Sequence, residues 1–86
     1  MFQASEIERL IAEGLDCEFI EVKGEDGVHF SAIVVSPMFE GISLPDQHRM
    51  VKGTLGERLD TGEIHALGLK TYTPARWATV RSTLGY

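Results

Sequence analysis

Apolar residues recur at helical spacing from the start of the chain. Ile7, Leu10, Ile11 and Leu15 fall on one face, and Ser5-Glu6-Ile7-Glu8 has the form of a capping box, so residues 5 to about 14 predict an amphipathic helix that Gly14 ends. The pattern then changes to strand. Residues 17 to 22 are rich in aromatic and branched side chains, Lys23-Gly24-Glu25-Asp26-Gly27 supplies turn chemistry, and residues 29 to 35 predict the second arm of an antiparallel hairpin. Ser36-Pro37 breaks the hairpin, and residues 39 to 41 read as a short turn or helical piece. Leu44, Met50, Val51, Leu55 and Leu59 mark the buried stripe of a longer helix with Pro45 in its first turn and Gly62 near its end. Residues 64 to 72 predict a third strand, with His65, Leu67, Leu69 and Thr71 on one face and Ile64, Ala66, Gly68, Lys70 and Tyr72 on the other. Thr73 then caps a last helix, with Pro74 at its first position and Trp77 as anchor.

The order helix, strand, strand, helix, helix, strand, helix predicts an α+β fold in which helices cover one face of a mixed three-stranded sheet. One class of KH-like domain, the class II type, is built in this order. A KH domain grips nucleotides with a GxxG loop between two helices. Here Gly24-Glu25-Asp26-Gly27 lies between two strands and is acidic, which makes it an ordinary hairpin turn that repels phosphate. The chain reads as a single domain over residues 1–86, its core within about residues 5 to 80.

Composition narrows the function classes. A hydrophobic share of 43% and a charged share of 24% are those of a globular domain, and a net charge of -5 argues against a non-specific grip on nucleic-acid phosphates. Cys17 is the sole cysteine, so neither an internal disulfide nor a CxxC metal knuckle can form. With no apolar run of membrane-spanning length and no signal-peptide pattern, the expected location is the cytoplasm, away from membranes.

Chemistry centres on the histidines. His65 opens the third strand as a metal-competent side chain, and His29 opens the second, each with a bland alternative as a strand residue bonded to its surroundings. His48 reads as a helix residue flanking the core, Cys17 as a small buried hydrophobe, and Trp77 and Tyr72 as residues that close the core. No nucleophile-base-acid set and no phosphate-cradling loop follows a strand, so an enzyme is not expected.

Several separated motifs resemble the BolA family in order and spacing. They are His29-Phe30, Val35-Ser36-Pro37-Met38-Phe39-Glu40-Gly41-Ile42-Ser43-Leu44, Gln47-His48-Arg49-Met50-Val51, and His65-Ala66-Leu67 followed by Lys70-Thr71-Tyr72-Thr73-Pro74 and Trp77. The short strand-to-strand loop and the ending Leu84-Gly85-Tyr86 look most like the bacterial IbaG branch. The resemblance implies a non-catalytic adaptor that pairs with a monothiol glutaredoxin and shares a bridging [2Fe-2S] cluster in iron-sulfur trafficking or iron homeostasis. The glutaredoxin cysteine and a glutathione thiol hold one iron, and His65 with a loop residue holds the other, the isolated chain binding no cofactor. Imidazole in place of thiolate raises the cluster potential and is released on protonation. Where several relatives have Cys or His in the loop, this chain has an acidic residue around Asp26, a hard oxygen ligand poorly matched to cluster iron. His29 is the nearest imidazole to take that place, and a weaker or purely apo association is the alternative.

A second reading makes the chain a DNA-binding regulator of stress response and cell morphology. The helix pair around residues 37 to 59 resembles a helix-turn-helix, and Arg49, Lys52, Arg58, Lys70 and Arg76 are the residues for a partner's acidic surface or for DNA. Glu57 and Asp60 interrupt the basic run. Self-association into a homodimer is left open.

Overall fold

The computed structural model describes every residue except Met1, Phe2, Glu25, Gly27, Val28, Asp60, Thr61, Glu63 and His65. Helix α1 spans Ala4–Gly14, β1 Phe19–Lys23, β2 His29–Val35, α2 Leu44–Gly53, β3 Ala66–Tyr72 and α3 Pro74–Val80, with single 3-10 turns at Pro37–Phe39, Gly56–Arg58 and Arg81–Leu84. The sheet order is β1-β2-β3, with β1 antiparallel and β3 parallel to the central β2. The fold is therefore the expected α+β arrangement on a mixed three-stranded sheet.

Several boundaries differ from the sequence pattern for physical reasons. Ser5 does not cap α1. The helix begins one residue earlier, and the Gln3 carbonyl accepts from the N–H groups of Glu6 and Ile7 at 3.0 and 3.3 Å. The first strand starts at Phe19 rather than Cys17, because pairing with β2 begins at the Phe19–Val35 partners. The second helix stops at Gly53 instead of continuing through Leu59. The Thr54 hydroxyl donates to the Val51 carbonyl at 2.6 Å, and Gly56 adopts φ +61°, a left-handed conformation that ends a right-handed helix. Leu55 still reaches the core, where it is fully buried. The third strand starts at Ala66, not residue 64. Ile64, which strict alternation puts on the outer face with Ala66, is fully buried, so the alternation of β3 does not extend ahead of Ala66.

Two faces of the sheet have different cover. Phe30, Ala32 and Val34 from β2 meet Ile7 and Ile11 of α1, Val51 of α2, and Phe39, Leu55 and Ile64 from the connections in one core. Burial of each large aliphatic or aromatic side chain contributes about 1.5–3 kcal/mol. On the other face, register aligns Phe19, Val35 and Tyr72 in one row. Trp77 and Tyr86 cover that row. The Trp77 ring stacks on Phe19 with centroids 5.1 Å apart and lies 5.6 Å from Tyr72 and 5.4 Å from Tyr86. Trp77 and Tyr72 thus belong to a second, aromatic cluster rather than to the main core.

Two buried polar residues tie these layers together. The fully buried Ser36 hydroxyl donates to the Asp16 carbonyl at 2.5 Å and accepts from the Met38 N–H at 3.0 Å, while its backbone N–H bonds the Tyr72 carbonyl at 3.1 Å. Gln47 on α2 accepts from the Thr71 hydroxyl of β3 at 2.7 Å and donates to the Ile42 carbonyl at 2.8 Å. Ser36→Ala removes both hydroxyl bonds, to the Asp16 carbonyl and from the Met38 N–H. Its expected cost is about 1–3 kcal/mol in urea or thermal unfolding, and a loss within error of zero would disprove the tie.

Candidate functional site

The outer face of the sheet is graded from apolar to polar along β2. At its far end the aromatic cluster buries Val35, and the middle carries Glu21, Ile33 and Lys70 in one cross-strand row. A cavity of about 410 Å³ lies over this middle part, between strand positions Lys23, Ser31 and Lys70 and the C-terminal Leu84 and Tyr86. The Tyr86 hydroxyl donates to the Glu21 carboxylate, and Lys23 Nζ lies 3.1 Å from the same oxygen. The Tyr86 bond and then the Lys23 ammonium hold the Glu21 carboxyl below its usual range, and the same partnership pushes the Tyr86 phenol up.

His29 stands at the opposite end of this face from the aromatic cluster, as the first residue of the central strand. Its ring is 62% exposed, and Asp26 grips it twice: one carboxylate oxygen accepts the His29 backbone N–H at 2.8 Å, and the other lies 2.7 Å from ring Nδ1. The sequence makes this possible through Gly24. A Cβ on Gly24 would come within 2.3 Å of the Phe30 ring, so only glycine lets the loop pass over that buried phenylalanine and bring Asp26 back to the strand. A shallow hollow lined by Lys23, Gly24, Asp26, His29 and Ser31 surrounds the ring. In the parallel register the partner of His29 is Ala66. The candidate ligand His65 lies outside the described residues.

The remaining candidates separate in space. Arg49 and Lys52 line one surface depression with Leu44, Pro45 and His48 on α2, and Arg49 is paired with Asp46. Arg58 turns back to donate to the Leu55 carbonyl at 3.0 Å, Lys70 projects from the outer sheet face, and Arg76 is exposed on α3. The stretch expected to resemble a helix-turn-helix holds a three-residue 3-10 turn, α2 and a second 3-10 turn, not two α-helices. Among the described residues no group of three or more His, Cys, Asp or Glu side chains comes together to hold a metal ion. No helix among them is long and apolar enough to cross a membrane.

Sequence reasoning treated Asp26 only as a poor ligand. The structure makes it the partner of His29, and the spacing Asp-x-x-His across a turn, typical of an Asx side chain reaching a backbone N–H just ahead, was the available signal. Cys17 is half-buried, and burial followed by the neighbouring Asp16 charge pushes its thiol up. A thiol held protonated is a weak nucleophile and ligand. Iodoacetamide at pH 8 is expected to alkylate Cys17 several-fold more slowly than free cysteine; an equal or faster rate would reinstate it as a reactive thiol.

A small α+β domain that presents a carboxylate-held histidine at the head of its central strand is the class these features define. The chain belongs to the BolA-like protein family, whose pattern matches residues 9–76. It is 37% identical to the acid stress protein IbaG of Escherichia coli K12 over 82 residues, covering 95% of this chain and 96% of that protein. A bolA protein homologue from Coxiella burnetii is 38% identical and superposes with a TM-score of 0.77, over 91% of this chain and 99% of that one. The protein of Escherichia coli K12 named DNA-binding transcriptional regulator BolA is 41% identical over 56 residues, which are 65% of this chain and 52% of that protein.

Proposed function

We propose that this chain is a non-catalytic adaptor that pairs with a monothiol glutaredoxin and shares a bridging [2Fe-2S] cluster with it, in iron-sulfur trafficking or iron homeostasis in the cytoplasm. Beyond family membership, the observation that carries this reading is His29: an exposed imidazole, held by Asp26 at 2.7 Å, on the rim of the sheet. Imidazole suits cluster iron, and an oriented, solvent-facing ring is one that a second protein can reach. His65, the ligand the family resemblance implies first, immediately precedes Ala66, the register partner of His29. One or two imidazoles cannot complete the coordination of two irons, so the glutaredoxin cysteine and a glutathione thiol supply the rest. When bound, the cluster supplies a potential raised by histidine ligation and a bond that acid releases.

The test is anaerobic reconstitution of this chain with a monothiol glutaredoxin and glutathione. A coloured heterodimer is expected, with its visible absorption and circular dichroism altered in His65→Ala and in His29→Ala. Spectra and affinity unchanged in both variants would refute ligation by these histidines.

One observation favours a second reading, a DNA-binding regulator of stress response and cell morphology: the match over 56 residues to the relative whose name states DNA binding. Arg49 and Lys52 share a surface, but Asp46 pairs with Arg49, Arg58 is turned inward, and the net charge is -5. Titration of labelled duplex at several salt concentrations separates the two. Only weak, sequence-indifferent binding near physiological salt is expected, whereas selective binding that weakens steeply with salt, and less steeply in Lys52→Ala, would favour the regulator.

A further inference from the structure

Asp26 replaces a soft loop ligand with a hard one, yet its placement gives it a different task. Both of its carboxylate oxygens are used on the same residue, at 2.8 Å from the His29 backbone N–H and 2.7 Å from ring Nδ1. An exposed carboxylate–imidazole pair three residues apart contributes little to stability. Orientation is another matter, because two bonds from one rigid carboxylate to the backbone and ring of one residue leave the imidazole little rotational freedom. A carboxylate can only accept, so the ring nitrogen facing it must carry the proton. In the neutral ring the lone pair then resides on Nε2. This is the arrangement by which carboxylates orient metal-bound histidines and raise their basicity as ligands.

We propose that Asp26 is a positioning residue for His29: it fixes the ring and selects the Nδ1–H tautomer, which leaves the lone pair on Nε2, the atom that would meet a borderline or soft metal centre. This rests on the reading of His29 as a ligand to the shared cluster. It accounts for the acidic loop residue without asking an oxygen to bind iron. Asp26 stands only three residues before His29 in the sequence, and Gly24 lies close over Phe30.

The experiment has two arms. In the first, long-range nitrogen–proton correlation spectra of the 15N-labelled chain alone, recorded across a pH series, report which His29 nitrogen carries the proton in the neutral ring. Nδ1–H is expected in the unmodified chain, and a shift toward the Nε2–H form that prevails in free histidine is expected in Asp26→Ala. In the second, the same variant is reconstituted with a monothiol glutaredoxin and glutathione, where a 10–100-fold weaker hold on the cluster is expected, the usual effect of losing such a partner. An Nε2–H tautomer in the unmodified chain, or a tautomer indifferent to Asp26→Ala, overturns the positioning role whatever the cluster does. A tautomer that responds to Asp26, together with a His29→Ala complex of unaltered spectrum, overturns instead the reading of His29 as a ligand.

Discussion

The parallel pairing of β2 with β3 is the constraint on which the rest of the molecule depends. A parallel neighbour cannot be reached by a tight turn, so the chain must cross over, and residues 36–65 between the strands carry α2 and two of the 3-10 turns across the sheet. That crossover delivers Phe39, Val51, Leu55 and Ile64 to the core, all fully buried. It also decides which strand ends meet. With β3 parallel, His29 lies beside Ala66; with β3 antiparallel, the same residue would lie beside the end of that strand near Tyr72. The candidate site exists only because the first option is realised.

Apolar burial supplies the driving force, and a few polar bonds choose among packings that apolar residues alone leave open. Ser36 joins the connection before β1, the turn after β2 and the end of β3 through one residue. Gln47 joins α2 to β3 and to the carbonyl of Ile42. Both side chains lie within the segments that carry the family resemblance, and their bonding gives those positions a structural reason distinct from cluster binding. A buried polar group bonded on every side penalises any alternative arrangement that would leave it unpaired.

On the outer face the aromatic cluster of Phe19, Tyr72, Trp77 and Tyr86 covers only one end of the sheet. At the other end the histidine of the central strand is exposed and held by Asp26. The cations are dispersed over separate elements, Arg49 and Lys52 on α2, Lys70 on β3 and Arg76 on α3, in a chain of net charge -5.

Local pattern by itself determined the element order, the α+β class, the inward set Leu67, Leu69 and Thr71, and the cap at Thr73, since each depends on neighbours within a few residues. Motif resemblance added the family and marked His29 and His65. Tertiary structure decided the burial of Ile64 against alternation and the aromatic cluster that draws Trp77 away from the main core, because each is set by contacts distant in sequence. It alone revealed what Asp26 does. A carboxylate in a turn looks the same in sequence whether it faces water or a histidine, and only the path of the loop over Phe30 places its two oxygens against one residue.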